Sequence, residues 1–494
     1  MKIVVSILLL SLMAGSTAIA VTQAALAWPG ALVTPNVLTV KGSSTVGPIA
    51  QEELDAARGN FPGYWNNLVA ANSAWGTPAA LNINSVSLAT DGSGTAVPAL
   101  ALPNADVGEM SRPPSTGEYS NAAMTNMQLW AVGIDSVAIV VSPDMTGFPT
   151  SLTTLQVASL FANTSPLSNL PVGNGGTPIF ATWGAFMTYW NIPNTLTAQQ
   201  LAEPIKIAVR DPTSGTADCF NNYFMKPNGV NVLHTSNSVT DNYQNLASYT
   251  LCTENIDVFN AVSQGSTSTG SDYVGFISLG YLESYGNMIG VNIQFNIAAP
   301  PSGQTVPSLL KYYGNTGTWG KDNPSIFTWG TAAAPTQPNV LWAVSGIKGT
   351  AATSQYGAWR WLWEVTPATI PSTGPTLAAG VWIAYMKNAT YQGHPTNFVK
   401  DNNYIELNRA DMAGGAMIDS NLLSYTPIGG QTTQIPDGKD NFRDLSYFVS
   451  AYIAYGNANT YNPYADMDAN GKINFNDLKA FVSTYINYFV NYNP

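Results

Sequence analysis

Short runs of Val, Ile and Leu recur along the chain, and most of them give way to a stretch with helical spacing. The run 37–40 reads as a strand and breaks into Gly42-Ser43-Ser44-Thr45, after which 48–58 carries a helical pattern. Further strands are expected at 83–88, 137–141, 205–209 and 273–277. Amphipathic helices are expected at 155–161, 217–224 and 379–387. Strand, loop and helix alternating in this way predict an α/β chain built mainly on parallel sheets. From 300 to 356 the periodicity fades into Gly, Pro, Thr, Trp and Asn, which reads as an irregular insertion or a small β-rich excursion. A polar stretch with Pro427, Gly429, Gly430 and Pro436 marks a linker over 416–436, and a helix–loop–helix pair is expected over 437–494.

The chain has 494 residues, enough for two or three domains with substantial cores. Its formal net charge is −11. A surface of that sign repels nucleic acid and anionic lipid, and it cannot steer an anionic ligand, so an anion would have to be caught by a local site. Lys2 is followed by an apolar run over 3–13, then by the small-residue triplets Ala18-Ile19-Ala20 and Ala25-Leu26-Ala27. This is the layout of a secretory signal over 1–27, with an uncleaved anchor as the alternative, and it places the protein outside the cell or at its surface. Only two cysteines and two histidines are present, which excludes the usual zinc spacings. In an oxidising compartment, a Cys219–Cys252 bridge would close a loop of about 33 residues and stabilise by roughly 3–4 kcal/mol. Two buried free thiols are the other reading.

Three segments place small hydroxyl residues and glycine where a strand hands over to a helix: Gly42-Ser43-Ser44-Thr45-Val46, Gly92-Ser93-Gly94-Thr95 and Thr213-Ser214-Gly215-Thr216. Free N–H groups at a helix start, hydroxyl donors and the close approach that glycine permits can together hold a tetrahedral oxyanion with little full charge. Two arginines lie close in sequence, Arg112 after Ser111 and Arg210 before the third segment. Each offers a planar donor fork that matches an oxyanion. No acid pair, His-centred triad or phosphate-hydrolysing metal cluster stands out, so no enzyme is expected.

In this order, the segments 38–48, 91–97, 105–114, 132–141, 210–216 and 274–281, followed by 359–365 and 378–404, resemble the phosphate-binding subunits of phosphate ABC transporters. That resemblance implies a two-lobed, hinged α/β fold of the periplasmic-binding-protein type over 28–415. Such a fold closes on inorganic phosphate or a related oxyanion and delivers it to a membrane permease. Carried over by motif, Ser44, Thr45 and Val46 would bind from the first helix start and Ser93 from the second. Ser111 and Arg112 belong to the third motif, and Arg210, Ser214, Gly215 and Thr216 would close from the other lobe. Where some relatives have a proton-accepting aspartate, this chain reads Met110-Ser111-Arg112. Asp135 is the candidate replacement, or else a structural turn carboxylate. An adhesive surface protein that keeps the fold without transport is the alternative function.

At the C-terminus, Asp466, Asp468, Asn470, Lys472, Asn474 and Asp477 fall at positions 1, 3, 5, 7, 9 and 12 of a calcium-type loop, with Gly471 at position 6. Asp437 to Asp444 repeats the second half of that pattern without its first carboxylates. A duplicated loop–helix unit resembles a dockerin, which implies bound Ca2+ and a cohesin-like or other surface partner. The aromatic helix faces would either meet that partner or pack the module's own core.

Overall fold

The computed structural model describes residues 31–55, 59–112, 114, 116–119, 126–162, 180–225, 249–265, 270, 272–295, 332–337, 339–340, 356–388, 399, 402–406 and 442–492. The expected leader, the linker, the first loop of the C-terminal pair and most of the 300–356 insertion lie outside these residues. Among the described residues, no helix is long and apolar enough to cross a membrane.

Fifteen strands are described. They are β1 (Val37–Gly42), β2 (Ser85–Ala89), β3 (Val107–Met110), β4 (Gln128–Val141), β5 (Ser151–Thr153), β6 (Lys206–Arg210), β7 (Tyr249–Cys252), β8 (Tyr273–Ser278), β9 (Ile289–Gly290), β10 (Asn292–Gln294), β11 (Ala332–Ala333), β12 (Trp359–Thr366), β13 (Ile370–Pro371), β14 (Ile405–Glu406) and β15 (Thr460–Tyr461). The main sheet runs β2-β1-β3-β12-β4-β8-β6-β7, with β14 and β9 also pairing to β4. A small sheet joins β11, β10 and β5.

The strands anticipated from the Val/Ile runs are all present, but the sheet is mixed rather than mainly parallel. β1 pairs in parallel with β2 and β3, and β6 with β7 and β8, while β12, β8, β9 and β14 meet β4 antiparallel. The reason lies in β4, a strand of 14 residues buried along nearly its whole length. Its first part pairs with β12 and its last five residues pair with β8, so one continuous strand joins two parallel half-sheets. β12 is buried on both faces too, although its Trp359-Arg360-Trp361-Leu362-Trp363-Glu364 alternation would suit a strand with one face in water.

A disulfide between Cys219 and Cys252 does not form: both are buried free thiols. Cys219 packs with Val209, Phe220 and Phe276 in the main core. Cys252 sits with Ala208, Val258 and Val262 in a second cluster. Neighbouring β6 residues 208 and 209 point to opposite faces, so the two sulfurs lie on opposite sides of the sheet. Burial pushes the Cys252 thiol up to about 12 and raises that of Cys219 further, which leaves both unreactive.

The C-terminal segment is packed onto the first half-sheet. β15 pairs with β13, and Tyr464 and Tyr461 enter the main core. The Tyr64 hydroxyl donates to the Ala469 carbonyl at 2.7 Å, the Ala131 amide donates to the Tyr464 hydroxyl, and buried Lys387 donates to the Tyr464 carbonyl at 3.2 Å. Trp130 meets Tyr464 edge to face, with centroids 5.4 Å apart. Within the segment, Phe448 stacks on Phe481. Tyr447, Phe448 and Phe481 therefore pack the interior, while Tyr452, Ile453 and Phe475 remain exposed.

Candidate functional site

The three hydroxyl-rich segments converge where the two half-sheets meet. Two glycines permit this. Gly92 precedes the helix Ser93–Ala101 with φ +102°, a backbone conformation that side chains disfavour. At Gly215, an added Cβ would lie 2.3 Å from Ser111 Oγ and 2.6 Å from Ser93 Oγ, so only glycine lets the helix Gly215–Phe220 come this close. The Gly94 amide also donates to the Thr213 carbonyl at 2.9 Å, which links the two halves directly.

The resulting cluster is dominated by hydroxyls. Thr45 Oγ1 lies 3.3 Å from Thr216 Oγ1, and Ser93 Oγ lies 3.2 Å from Ser111 Oγ. Thr45, Ser93, Ser111 and Thr216 come from four separated segments, and all are buried. The Thr45 and Val46 amides point at Ser43 Oγ (3.1 and 3.4 Å), and the Thr216 and Ala217 amides at Ser214 Oγ (3.1 and 3.3 Å). Ser214 thus caps the helix Gly215–Phe220, Ser43 holds the turn that leads into the helix Gly47–Leu54, and the side-chain hydroxyls are the groups that face one another.

Two arginines complete the cluster, and both are 0% exposed. Arg210, at the end of β6, donates to Asn255 Oδ1 (2.7 Å), Ser44 Oγ (2.9 Å) and the Thr253 carbonyl (2.8 Å), all of them neutral. Its Nε is buried with no hydrogen-bond partner among the described residues. Burial pulls its guanidinium down to about 10; nearby Arg360 pulls in the same direction and Asp211 opposes.

The second arginine is Arg360, on β12, which the sequence reading did not single out. Its Nη2 reaches Thr216 Oγ1 at 3.0 Å and Thr45 Oγ1 at 3.3 Å, and its Nη1 reaches Ser111 Oγ at 3.3 Å. Arg360 and Asp135 are paired across β12 and β4, with Nη2–Oδ2 at 2.6 Å and Nε–Oδ2 at 3.1 Å. Burial alone would lower the Arg360 guanidinium, but Asp135, with Cys219 and Tyr404 adding to it, holds the group above its ordinary value. Asn255, also unanticipated, ties Arg210 to Thr45 through its two amide atoms. Arg112 turns instead to Glu118 in a bidentate pair at 2.7 and 2.9 Å. The guanidinium that lies among the four hydroxyls comes from β12. Arg360 sits in a Trp-rich alternation with no glycine or hydroxyl residue beside it, so nothing local marked it as a member of this cluster.

In the C-terminal loop, carboxylate oxygens of Asp466, Asp468 and Asp477 lie within 4.8 Å of one another. Gly471 adopts φ +77° at the turn. Asp466 accepts from the Asn470 amide (3.1 Å), the Gly471 amide (2.7 Å) and the Tyr461 hydroxyl (2.5 Å). The Lys472 amide donates to Asn470 Oδ1, and Asp477 accepts from the Met467 and Asn474 amides. These residues fit an oxygen-ligated divalent cation in chemistry and in arrangement.

Among solved structures, the chain resembles a possible phosphate binding protein from Planctomyces limnophilus (17% identity, TM-score 0.38, 75% of this chain and 92% of that one). It also resembles an ABC-type phosphate transport receptor from Vibrio cholerae (16% identity, TM-score 0.39, 74% and 99%). A third is a phosphate ABC transporter substrate-binding protein from Clostridium perfringens (12% identity, TM-score 0.40, 75% and 99%). No curated protein matches. A family profile described as a PBP superfamily domain matches residues 29–283, just over half the chain; the protein belongs to the PBP superfamily.

Proposed function

We propose that this protein captures a tetrahedral oxyanion, inorganic phosphate foremost, as the extracellular binding component serving an ABC-type importer. The observation that carries this reading is the charge on Arg210. Its guanidinium is fully buried and bonded only to neutral groups, beside a second arginine that already holds the nearby carboxylate. A buried charge with no hydrogen-bonded counterion costs several kcal/mol, and an anion among the hydroxyls of Thr45, Ser93, Ser111 and Thr216 would offset that cost. Binding needs no bond to be made or broken, and the hydroxyl-and-arginine set supplies donors without an activated nucleophile.

Titration calorimetry of the full chain with phosphate tests the proposal. Saturable binding is expected, and Arg210→Gln should weaken it about 100-fold or more, because a charge-assisted pair is lost. The ligand-free variant should be as thermally stable as the parent or more so, since the uncompensated charge is gone. Absence of binding in the parent chain would remove the reading.

We also assign a Ca2+ site to Asp466, Asp468, Asn470, Asn474 and Asp477, with the Lys472 carbonyl. The bound ion would neutralise three converging carboxylates and hold the turn that presents Ala469 to Tyr64. Ca2+ is expected to raise the melting temperature of the full chain by several degrees over chelator, a stabilisation set by mass action, and Asp466→Ala should abolish the difference. Identical melting curves with calcium and with chelator would exclude the site.

A further inference from the structure

We infer that the oxyanion site admits tetrahedral dianions whether or not they carry a proton, so that sulfate is a ligand as well as phosphate; this rests on the oxyanion reading above. A binding protein rejects a proton-free oxyanion by fixing an acceptor against one of its oxygens, where two acceptors then face each other with no hydrogen between them. Asp135 is the carboxylate hydrogen-bonded to this cluster, and both of its oxygens are engaged. Oδ2 accepts from Arg360 Nε at 3.1 Å and Nη2 at 2.6 Å, and Oδ1 accepts from Ser278 Oγ at 2.9 Å.

The pairing is held by the backbone. Arg360 and Asp135 are direct register partners on β12 and β4, the strands on which the two half-sheets are joined. Three of the four acceptor positions of Asp135 are thus filled, and a ligand proton would meet only the last one, on Oδ1 beside the Ser278 hydroxyl, which is itself fixed at the end of β8 and lies 3.4 Å from Tyr404 Oη.

The groups left to meet a ligand are hydroxyls and guanidinium N–H. A hydroxyl turns to accept from a protonated ligand oxygen or to donate to a bare one, and a guanidinium only donates. Thr45, Ser93, Ser111 and Thr216 thus tolerate a ligand proton without requiring one, and nothing in the hydrogen-bonded cluster penalises sulfate. Selectivity in this site is set by shape and charge rather than by protonation.

The test is competition titration of the full chain with phosphate and sulfate at neutral pH and constant ionic strength. Sulfate is expected to displace phosphate competitively, with an affinity within about thirtyfold, less than a fully mispaired buried acceptor would cost. Ser278→Ala, which frees Oδ1 of Asp135, is expected to move the preference towards phosphate. Phosphate binding with sulfate weaker than that margin would overturn the inference while leaving the oxyanion reading intact. An unchanged preference in Ser278→Ala would equally overturn it. Silence with both anions would remove the oxyanion reading, and this inference with it.

Discussion

Replacing Arg360 by methionine is expected to abolish oxyanion binding and to destabilise the fold by about 3–5 kcal/mol, the cost of breaking a buried ion pair from one side. Both losses follow from one arrangement. Arg360 is withdrawn from water, pairs with Asp135 at 2.6 Å, and extends the same Nη2 to Thr45 and Thr216. Removing it strands the Asp135 carboxylate in the interior with Ser278 as its remaining hydrogen-bond donor among the described residues. It also takes away the guanidinium that spans hydroxyls from both half-sheets. The double variant Arg360→Met/Asp135→Asn separates the effects. With no buried carboxylate left unpaired, most of the lost stability should return in denaturant unfolding, while phosphate binding should stay absent. A double variant as unstable as the single one would show that Arg360 acts through packing rather than through the pair. Recovery of binding in the double variant would show that Arg360 serves only to neutralise Asp135.

Stability is expected to fall steeply as pH rises from mildly acidic to mildly alkaline, because three glutamates are buried together with no hydrogen-bond partner among the described residues. Glu109 and Glu364 are register neighbours on β3 and β12, and Glu53 faces them from the helix Gly47–Leu54. All six carboxyl oxygens are buried with no hydrogen-bond partner among the described residues. Burial pushes Glu109 up to about 8 from an ordinary 4.5. Burial also raises Glu53, with Glu109 adding to the effect, and raises Glu364, with Glu109 and Glu53 adding. Burial raises Tyr385 as well, on the helix Leu377–Asn388, and the Glu53 charge adds to it. Each folded-state value exceeds the unfolded one, so the folded chain holds more protons. The stability from these groups is complete below about pH 4.5; the share of Glu109 is lost as pH climbs through about 8, and those of Glu53 and Glu364 fall in the same direction, with a slope of roughly 1.4 kcal/mol per pH unit for each carboxyl that must stay neutral. Denaturant unfolding at pH 5 and pH 8 measures this. Glu364→Met should raise stability at pH 8 and flatten the profile. A parent chain equally stable at both values would mean that the three acids are solvated or paired.

The sequence was most legible where local chemistry and position coincide. Val/Ile runs bury themselves as strands wherever they fall, and β1, β6 and β8 lie within a residue or two of where the pattern put them. Gly92 and Gly215 with their hydroxyl neighbours marked the helix starts, because a close approach with free donors needs those residue types. Ser93, Arg210 and Thr216, which the fold brings to one cluster, lie in or beside those segments. The calcium-type loop was equally plain, since its spacing encodes a turn only a few residues across.

What the tertiary structure alone decided is which face of a strand is wet and which residues distant in sequence meet. The alternation in β12 suits a strand with Arg360 and Glu364 in water, yet that strand lies between β3 and β4 with both faces covered. One charge therefore reaches the oxyanion cluster and the other joins Glu53 and Glu109. Arg112 lies beside Ser111 in sequence and pairs with Glu118, six residues on. The cysteines had a plausible loop length, but they occupy opposite faces of the sheet, a relation that sequence separation does not encode. The C-terminal pair reads as a module on a linker, and its Tyr464 and Ala469 find partners some 330 to 400 residues away, on β4 and on the helix Phe61–Ala71. In each case local pattern determines the element and its donors, while the choice of partner is made by packing between segments that only the folded chain brings together.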